Sequence, residues 1–325
     1  MTITRNPAPR TAAERQAILD SPVFGGSFTD HMVAMSWSDG EWGPLQLVPF
    51  GPLSLSPATL VLHYGQSIFE ALKAYRLADG EWVSGVDGAA LYLRPFMFAS
   101  EPHLAVRPAN EYQFLVIASP VASYFGDHLG VISVAVEHQD VRATHGGTGT
   151  AKFAGNYAAG FAAHARAGLA GHDQVLWLDA VDHRWTEELN AMNVVFVWGR
   201  DGRTVVTTPQ LTGTILEGVT RDSLLTIAAD MAATHDSGID VVLAEPTSIE
   251  HLRAGAEHGT LREAFACGTA AVVAPIGRFA LDGHDLVLGD GHPGTVTVEL
   301  RRRLLDIQYG RVPDPHGWVH RVRGT

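Results

Sequence analysis

The sequence predicts a two-domain α+β protein, on three grounds. At 325 residues the chain is long for one core, since domains typically hold about 100–200 residues. Its first half reads as β-rich runs, whereas its second half mixes strands with helices that never settle into strict βαβ alternation. Between Ser119 and Val131, the residues Pro120, Gly126, Asp127 and Gly130 punctuate a stretch suited to a connector. The expected organisation is a smaller domain over residues 1–122, a connector over 123–130 and a larger domain over 131–325.

Each element follows from local pattern. The amino terminus, Met1 to Gln16, alternates charge, proline and polar residues and has no apolar core for a signal peptide. Runs rich in β-branched and aromatic residues predict strands at Leu45–Phe50, Phe69–Arg76, Leu91–Ala99, Glu111–Ser119 and Val131–Glu137. Helical apolar spacing marks Asn156–Gly168, with Asn156 as its cap, and Val219–His235 after Gly218. Strands are expected around them at Gln174–Asp179, Met192–Trp198, Thr204–Thr207, Asp240–Ala244, Glu263–Ala266 and Ala271–Pro275. A last helix spans Thr295–Tyr309, with Arg301, Arg302 and Arg303 in solvent.

Composition narrows the function. A formal charge of −12 and a pI near 5.7 argue against nucleic acid or an anionic membrane as partner. The lone Cys267 leaves no intrachain disulfide framework and suits a reducing cytoplasm. No apolar run approaches the ~18–20 residues that cross a bilayer. The expectation is a cytoplasmic protein acting on small molecules.

Lysine usage is more pointed. Of 23 basic residues only Lys73 and Lys152 are lysines. Arginine stays protonated and forms no imine, whereas a lysine of lowered pKa does, so a lysine kept within a glycine-rich stretch marks a candidate amine. Familiar motifs fail. Gly146–Lys152 lacks the glycine and Ser/Thr of a P-loop, having Ala151 and Phe153 instead, and the histidines show no metal-ligand spacing. What remains is an ordered set: Lys152 ahead of Gly155-Asn156-Tyr157, Glu188 before an apolar run, Gly213–Thr220 ending at a helix amino terminus suited to an anion, and Gly268-Thr269 after a strand.

In order and spacing this set resembles the class IV aminotransferases, specifically the branched-chain amino-acid aminotransferases. The resemblance runs from Phe24-Gly25 and Phe28–Met32 through His63–Glu70, Leu91–Pro95, Gly146–Tyr157, Val175–Ala180 and Met192-Asn193. It continues through Gly218–Asp222 and Gly268–Ala270 to His316-Gly317-Trp318. It implies the two-domain fold type IV of pyridoxal phosphate (PLP) enzymes, D-amino-acid aminotransferase-like, working as a homodimer. Lys152 would carry PLP as a Schiff base, Glu188 would pair with the pyridine nitrogen, and Tyr157 would bond the 3′-oxygen. Val219, Thr220 and Thr269 would hold the phosphate. Arg94 and Tyr92, two apart on one strand face, would meet a distal carboxylate, while Phe69, Tyr124 and, across a dimer interface, Tyr64 would line an apolar pocket. Thr269 and Ala270 would take the α-carboxylate. The implied reaction moves an amino group between an aliphatic amino acid and a 2-oxo acid.

Departures from the family cluster near these residues. After Tyr75-Arg76 the family runs through a strand and two helices, whereas here residues 77–90 lead straight to Leu91, so the smaller domain is expected to be shortened. The missing span carries the family's phosphate-clamping arginine. Glu217 stands where the family has proline, and Ala71, Asn190 and Ala191 replace smaller or different residues. Three outcomes follow: a transaminase that binds PLP weakly, a scaffold that has lost PLP and turned to a cyclisation or isomerisation, or a non-catalytic binding protein.

Overall fold

The computed structural model describes residues 1–75, 89–122, 129–234 and 238–322. The chain divides into two compact units. The first comprises Met1–Arg76, Glu81–Tyr124 and Ala151–Gly155, and the second the remainder. Lys152 therefore clusters with the first unit, although its sequence neighbours on both sides belong to the second. Most of the expected connector and of the shortened span lies outside the described residues.

The first unit is built on an eight-stranded sheet. In chain order its elements are β1 (Thr2–Ile3), α1 (Ala12–Asp20), β2 (His31–Ser38), β3 (Glu41–Trp42), β4 (Gln46–Pro49), α2 (Val61–Tyr64), β5 (Ser67–Phe69), β6 (Leu72–Ala74), β7 (Ala90–Ala99) and β8 (Glu111–Val121). The sheet order is β1-β4-β2-β8-β7-β5, with β3 on β2 and β6 on β7. Its centre is the long antiparallel pair β7–β8, in register from Ala90↔Val121 to Ala99↔Tyr112. One face carries a core of Met32, Phe98 and Leu115, joined by Phe50 and Leu55 from the segment after β4 and by Val61 of α2.

One expectation needs correction here, and one element was not foreseen. The single strand Phe69–Arg76 is broken into β5 and β6 although the register across β7 runs on: Glu70 falls opposite Pro95, whose carbonyl accepts from the Glu70 amide at 2.8 Å but whose ring nitrogen has no N–H to return the bond. At the amino terminus Thr11 and Glu14 form a reciprocal capping box that starts α1, a helix with no buried residue and hence no apolar stripe to betray it.

The second unit holds a nine-stranded mixed sheet. Its elements are β9 (Ile132–Val136), α3 (Ala154–Leu169, its first residues in the first unit), β10 (Gln174–Leu178), β11 (Thr186–Leu189), β12 (Asn193–Arg200), β13 (Arg203–Thr208), α4 (Val219–Thr234), β14 (Val241–Ala244), α5 (Ile249–Glu257), β15 (Leu261–Gly268), β16 (Val272–Leu281), β17 (His284–Val287) and α6 (Thr295–Gln308). The order β11-β10-β9-β16-β15-β12-β13-β14 has parallel pairs at β9–β10, β9–β16 and β13–β14. Alternation decides the layers. Val194, Phe196 and Trp198 face Leu252 of α5, while Val195, Val197 and Phe265 face Leu224 of α4 and Leu300 of α6. Both faces of β12 and of the Ala264–Cys267 stretch of β15 are thus buried, which is why those sequences are almost unbroken apolar runs.

The helix α3 starts at Ala154, so Asn156 lies in its first turn rather than capping it. Arg301 and Arg303 are half-buried, unlike the exposed Arg302, because they flank the stripe of Leu300 and Leu304 that α6 buries. No described helix is long and apolar enough to cross a membrane.

Candidate functional site

The residues marked by sequence fall into two groups, one in each unit. In the first unit, Tyr92 and Arg94 project from one face of β7, and the Arg94 guanidinium donates to the Tyr92 hydroxyl at 2.7 Å. The same guanidinium lies 4.6 Å from the centre of the Phe69 ring, a cation–π arrangement that fixes its plane. Arg94 Nε is buried without a hydrogen-bond partner, so this cation retains a donor for an incoming anion. Phe24 packs edge-on against Tyr92 at 5.0 Å.

Lys152 is anchored to the same unit through its backbone. Its carbonyl accepts from the Phe69 amide at 3.0 Å, and the next residue, Phe153, forms an isolated bridge with Ile68. Lys73, the other lysine, sits directly opposite Tyr92 across β6–β7 and so shares its face. Tyr64 ends α2, and its hydroxyl donates to the Leu104 carbonyl at 2.5 Å. Tyr124 lies outside the described residues.

In the second unit the centre is Glu188. Its polar neighbours in sequence suggest a surface patch, but Thr186–Leu189 is a strand buried along its whole length, with Glu188 5% exposed. A buried carboxylate needs compensation, and it is supplied from three sides. Arg142, itself 7% exposed, places Nε 3.1 Å from one oxygen of Glu188. The Asn193 side-chain amide donates to the other at 2.9 Å, and the Leu216 backbone amide reaches that oxygen at 3.2 Å. Arg142 also donates to the Thr214 carbonyl, which ties the Gly213–Gly218 segment to the same centre. An ionised carboxylate has about four acceptor positions and so serves several donors at once.

Around Glu188 several backbone features converge at the same end of the sheet. Asn193 opens β12 and pairs with Cys267, so the β15–β16 turn bearing Thr269 and Ala270 follows directly. Val272 closes that turn at φ 61°, a left-handed conformation that a β-branched residue adopts only at a cost. The Asn193 side-chain amide also donates to the Leu216 carbonyl at 2.9 Å, fixing the approach to α4. A Cβ at Gly218 would overlap the Asn193 Oδ1, so only glycine allows this close approach. The first amides of α4, from Val219 and Thr220, are among those a helix leaves without intrahelical partners. Tyr157 lies one residue beyond Asn156, whose side chain accepts from the Thr148 hydroxyl at 2.7 Å and donates to the Thr148 carbonyl at 2.6 Å. That double contact pins the glycine-rich turn to the helix. Within the turn, Gly149 has no room for a Cβ against Thr214.

Two neighbours shape the electrostatics. Burial pushes the Glu187 carboxyl above its ordinary value, against the lowering effect of the Thr214 hydroxyl it accepts from and of Arg142. Arg221, in the first turn of α4, is buried and directed to the Thr208 hydroxyl (3.2 Å) and the Pro209 carbonyl (3.1 Å). Arg142, Asn193, Asn156 and Thr214 were not singled out from sequence as members of the site. The available signal was an arginine between Val141 and Ala143, just ahead of the glycine-rich turn.

The second unit's residues fit part of a PLP-type cofactor: a buried carboxylate beside Arg142 able to meet a protonated ring nitrogen, and a helix amino terminus for a phosphate. Comparison with known proteins places the chain in a family. The profile of the family described as amino-transferase class IV matches residues 61–279. A probable branched-chain-amino-acid aminotransferase of Streptomyces coelicolor is 45% identical, covering 96% of each chain. The branched-chain-amino-acid aminotransferase of Mycolicibacterium smegmatis is 41% identical over 99% of this chain and 98% of its own. Those two alignments, of 357 and 367 positions, exceed the 325 residues present here, so both relatives carry residues without a counterpart in this chain. Among solved structures, a T.th. branched-chain amino acid aminotransferase with pyridoxamine 5′-phosphate superposes with a TM-score of 0.66 at 25% identity. That match covers 88% of this chain and 97% of that one.

Proposed function

The chain belongs to the class IV aminotransferase family, and from that premise we propose that it transfers amino groups between branched-chain amino acids and a 2-oxo acid. PLP, when bound, supplies an electron sink for the bond broken at the amino acid's Cα. Lys152 is the amine that carries the cofactor and moves the proton to and from Cα. Glu188 keeps the ring nitrogen protonated; Arg142 and Asn193 hold that carboxylate in place. Tyr157 steadies the ring's 3′-oxygen. The amides of Val219 and Thr220 and the Thr269 hydroxyl take the phosphate, and the amides of Thr269 and Ala270 the substrate α-carboxylate. Arg94, oriented by Tyr92 and Phe69, grips the distal carboxylate of the 2-oxo acid or glutamate. Tyr124 contributes apolar lining, as does Tyr64 to the site of a second copy in a cytoplasmic homodimer. The observation that carries this reading is the buried Glu188, met by Arg142 on one oxygen and by Asn193 and the Leu216 amide on the other.

The phosphate is the weak point of the site. A charge-assisted contact contributes about 1.5–3 kcal/mol, and Arg221 cannot supply one while it is committed to Thr208 and Pro209. Glu217 adds an exposed carboxylate one residue before Gly218. PLP should therefore bind at least tenfold more weakly than in a relative that has the clamping arginine. The test is amino transfer from valine, leucine or isoleucine to 2-oxoglutarate at saturating PLP. Glutamate formation supports the proposal. Its absence, with the natural activity intact in Lys152→Ala, would assign the scaffold to a different reaction.

A further inference from the structure

Among the described residues, those other than glycine with a positive φ are Asp39, His183, Asp201, Asp282 and Val272. The first four are of types that tolerate the left-handed region, where a short polar side chain can bond locally. Val272 is the exception: it is β-branched, 6% exposed and held at φ 61°. It closes the turn of residues 269–271 between β15 and β16, and it pairs with Gly268. Hairpins of three-residue turn normally reserve a left-handed position of this kind for glycine.

The side-chain pattern shows what holds it there. Partners across the β15–β16 ladder share a face: Ala266 and Ala274 pack in the layer with Leu252 of α5, while Cys267 and Val273 pack in the layer with Leu224 of α4 and Leu300 of α6. Strict alternation would then return Val272 to the α5 layer and Ala271 to the α4/α6 layer. The structure has the reverse, with Val272 in the same cluster as Val273 and Ala271 among the residues of the α5 layer. The left-handed residue thus switches the pleat by one. A strained backbone persists only where its surroundings over-determine it, and burial of the Val272 isopropyl group offsets the cost.

We propose that Val272 is a positioning residue for anion binding, on the reading given above that the Thr269 and Ala270 amides take the substrate α-carboxylate. The side chain acts from the core, through the backbone: it keeps residue 272 in the left-handed region, and that one setting aims the turn just before it. This role separates two effects that packing alone would keep together. Alanine removes the anchor but keeps the penalty at positive φ, so the backbone leaves the left-handed region and the amides turn away. Glycine removes the anchor too, but it has no penalty there, and the turn keeps its form. Glycine therefore serves this position better than alanine, the reverse of the order at an ordinary buried strand position.

The experiment compares wild type, Val272→Ala and Val272→Gly as the full chain, with far-UV circular dichroism as the check on folding. Initial rates of amino transfer from valine to 2-oxoglutarate at saturating PLP give kcat and KM, and thermal melts of the cofactor-free protein give the order of stability. A bond from an amide to a carboxylate is charge-assisted, and its loss costs about tenfold in affinity. V272A should raise the valine KM by about tenfold and change kcat by less than about twofold, because the carboxylate is held equally in ground and transition states. V272G should return KM to within about threefold of wild type and melt above V272A, since glycine adopts the left-handed region freely. An unchanged KM in V272A overturns the proposal, as does a V272G inferior to V272A in either KM or melting temperature. If V272G does not fold, Val272→Asn, which also tolerates the left-handed region, takes its place, and failure of both to fold overturns the proposal. An unfolded V272A beside a folded V272G meets the expected order and supports it. A wild type that transfers no amino group overturns the reading of the turn as a carboxylate site, while the melting order still decides whether Val272 anchors the backbone.

Discussion

Glu188→Gln should destabilise the second unit by about 3 kcal/mol in the absence of any cofactor. The substitution keeps shape and an acceptor oxygen, so the contacts from Asn193 and Leu216 can persist in part. What disappears is the counter-charge of Arg142, 3.1 Å away, with both side chains more than nine-tenths buried. At an effective dielectric of about 20, unit charges at ~4 Å interact by roughly 4 kcal/mol. Breaking a buried pair from one side costs about 3–5 kcal/mol, because the remaining charge loses its compensation. The lower end applies, since Glu187 also faces Arg142 and takes up some of its field. A loss of ~3 kcal/mol corresponds to a fall in Tm of roughly 6–12 °C for a unit of this size. Differential scanning calorimetry of the cofactor-free protein near neutral pH reads it. Arg142→Met combined with Glu188→Gln should recover part of the loss, since neither charge is then left alone. A Glu188→Gln protein melting within a degree of wild type would refute the claim that this pair organises the site.

Other outcomes follow from the same geometry. Glu187→Gln should be neutral or stabilising near neutral pH. Burial raises the carboxyl's folded pKa, so its ionised form is disfavoured in the fold and stability falls as pH rises through the interval above its unfolded value; the variant's stability should lose that pH dependence in a thermal-melt series. Gly218→Ala should cost about 1–3 kcal/mol by urea titration, because the new Cβ displaces the Asn193 side chain that holds Glu188. Glu217→Pro should tighten PLP binding about two- to fivefold by fluorescence titration, as expected for removing a carboxylate worth ~0.3–1 kcal/mol beside a helix amino terminus.

How much could be read in advance depended on whether an element's partner was visible along the chain. The pair β7–β8 and the strands β12 and β15 were legible because burial on one or both faces writes continuous β-branched and aromatic runs. The β5–β6 break was not, since it arises where Glu70 falls opposite Pro95, a residue distant in sequence that has no N–H to complete the ladder. The strand β2, central to its sheet, interleaves Met, Ala and Ser and was not read from the sequence. At the site, the candidate amine and carboxylate could be named, but not what surrounds Glu188. Arg142 and Asn193 reach it from sheet neighbours and loops whose proximity only the fold creates.

Whether Lys152 is the cofactor-bearing amine can be measured directly. Protein saturated with PLP is reduced with borohydride, digested, and the modified lysine located by mass spectrometry. With only two lysines in the chain the result is unambiguous. Lys73 is a real competitor, since it shares a sheet face with Tyr92, which is proposed to contact substrate. Label on Lys152 in the wild type, and none in Lys152→Ala, is the expected result. Label on Lys73, or an unlabelled wild type at saturating PLP, would contradict it.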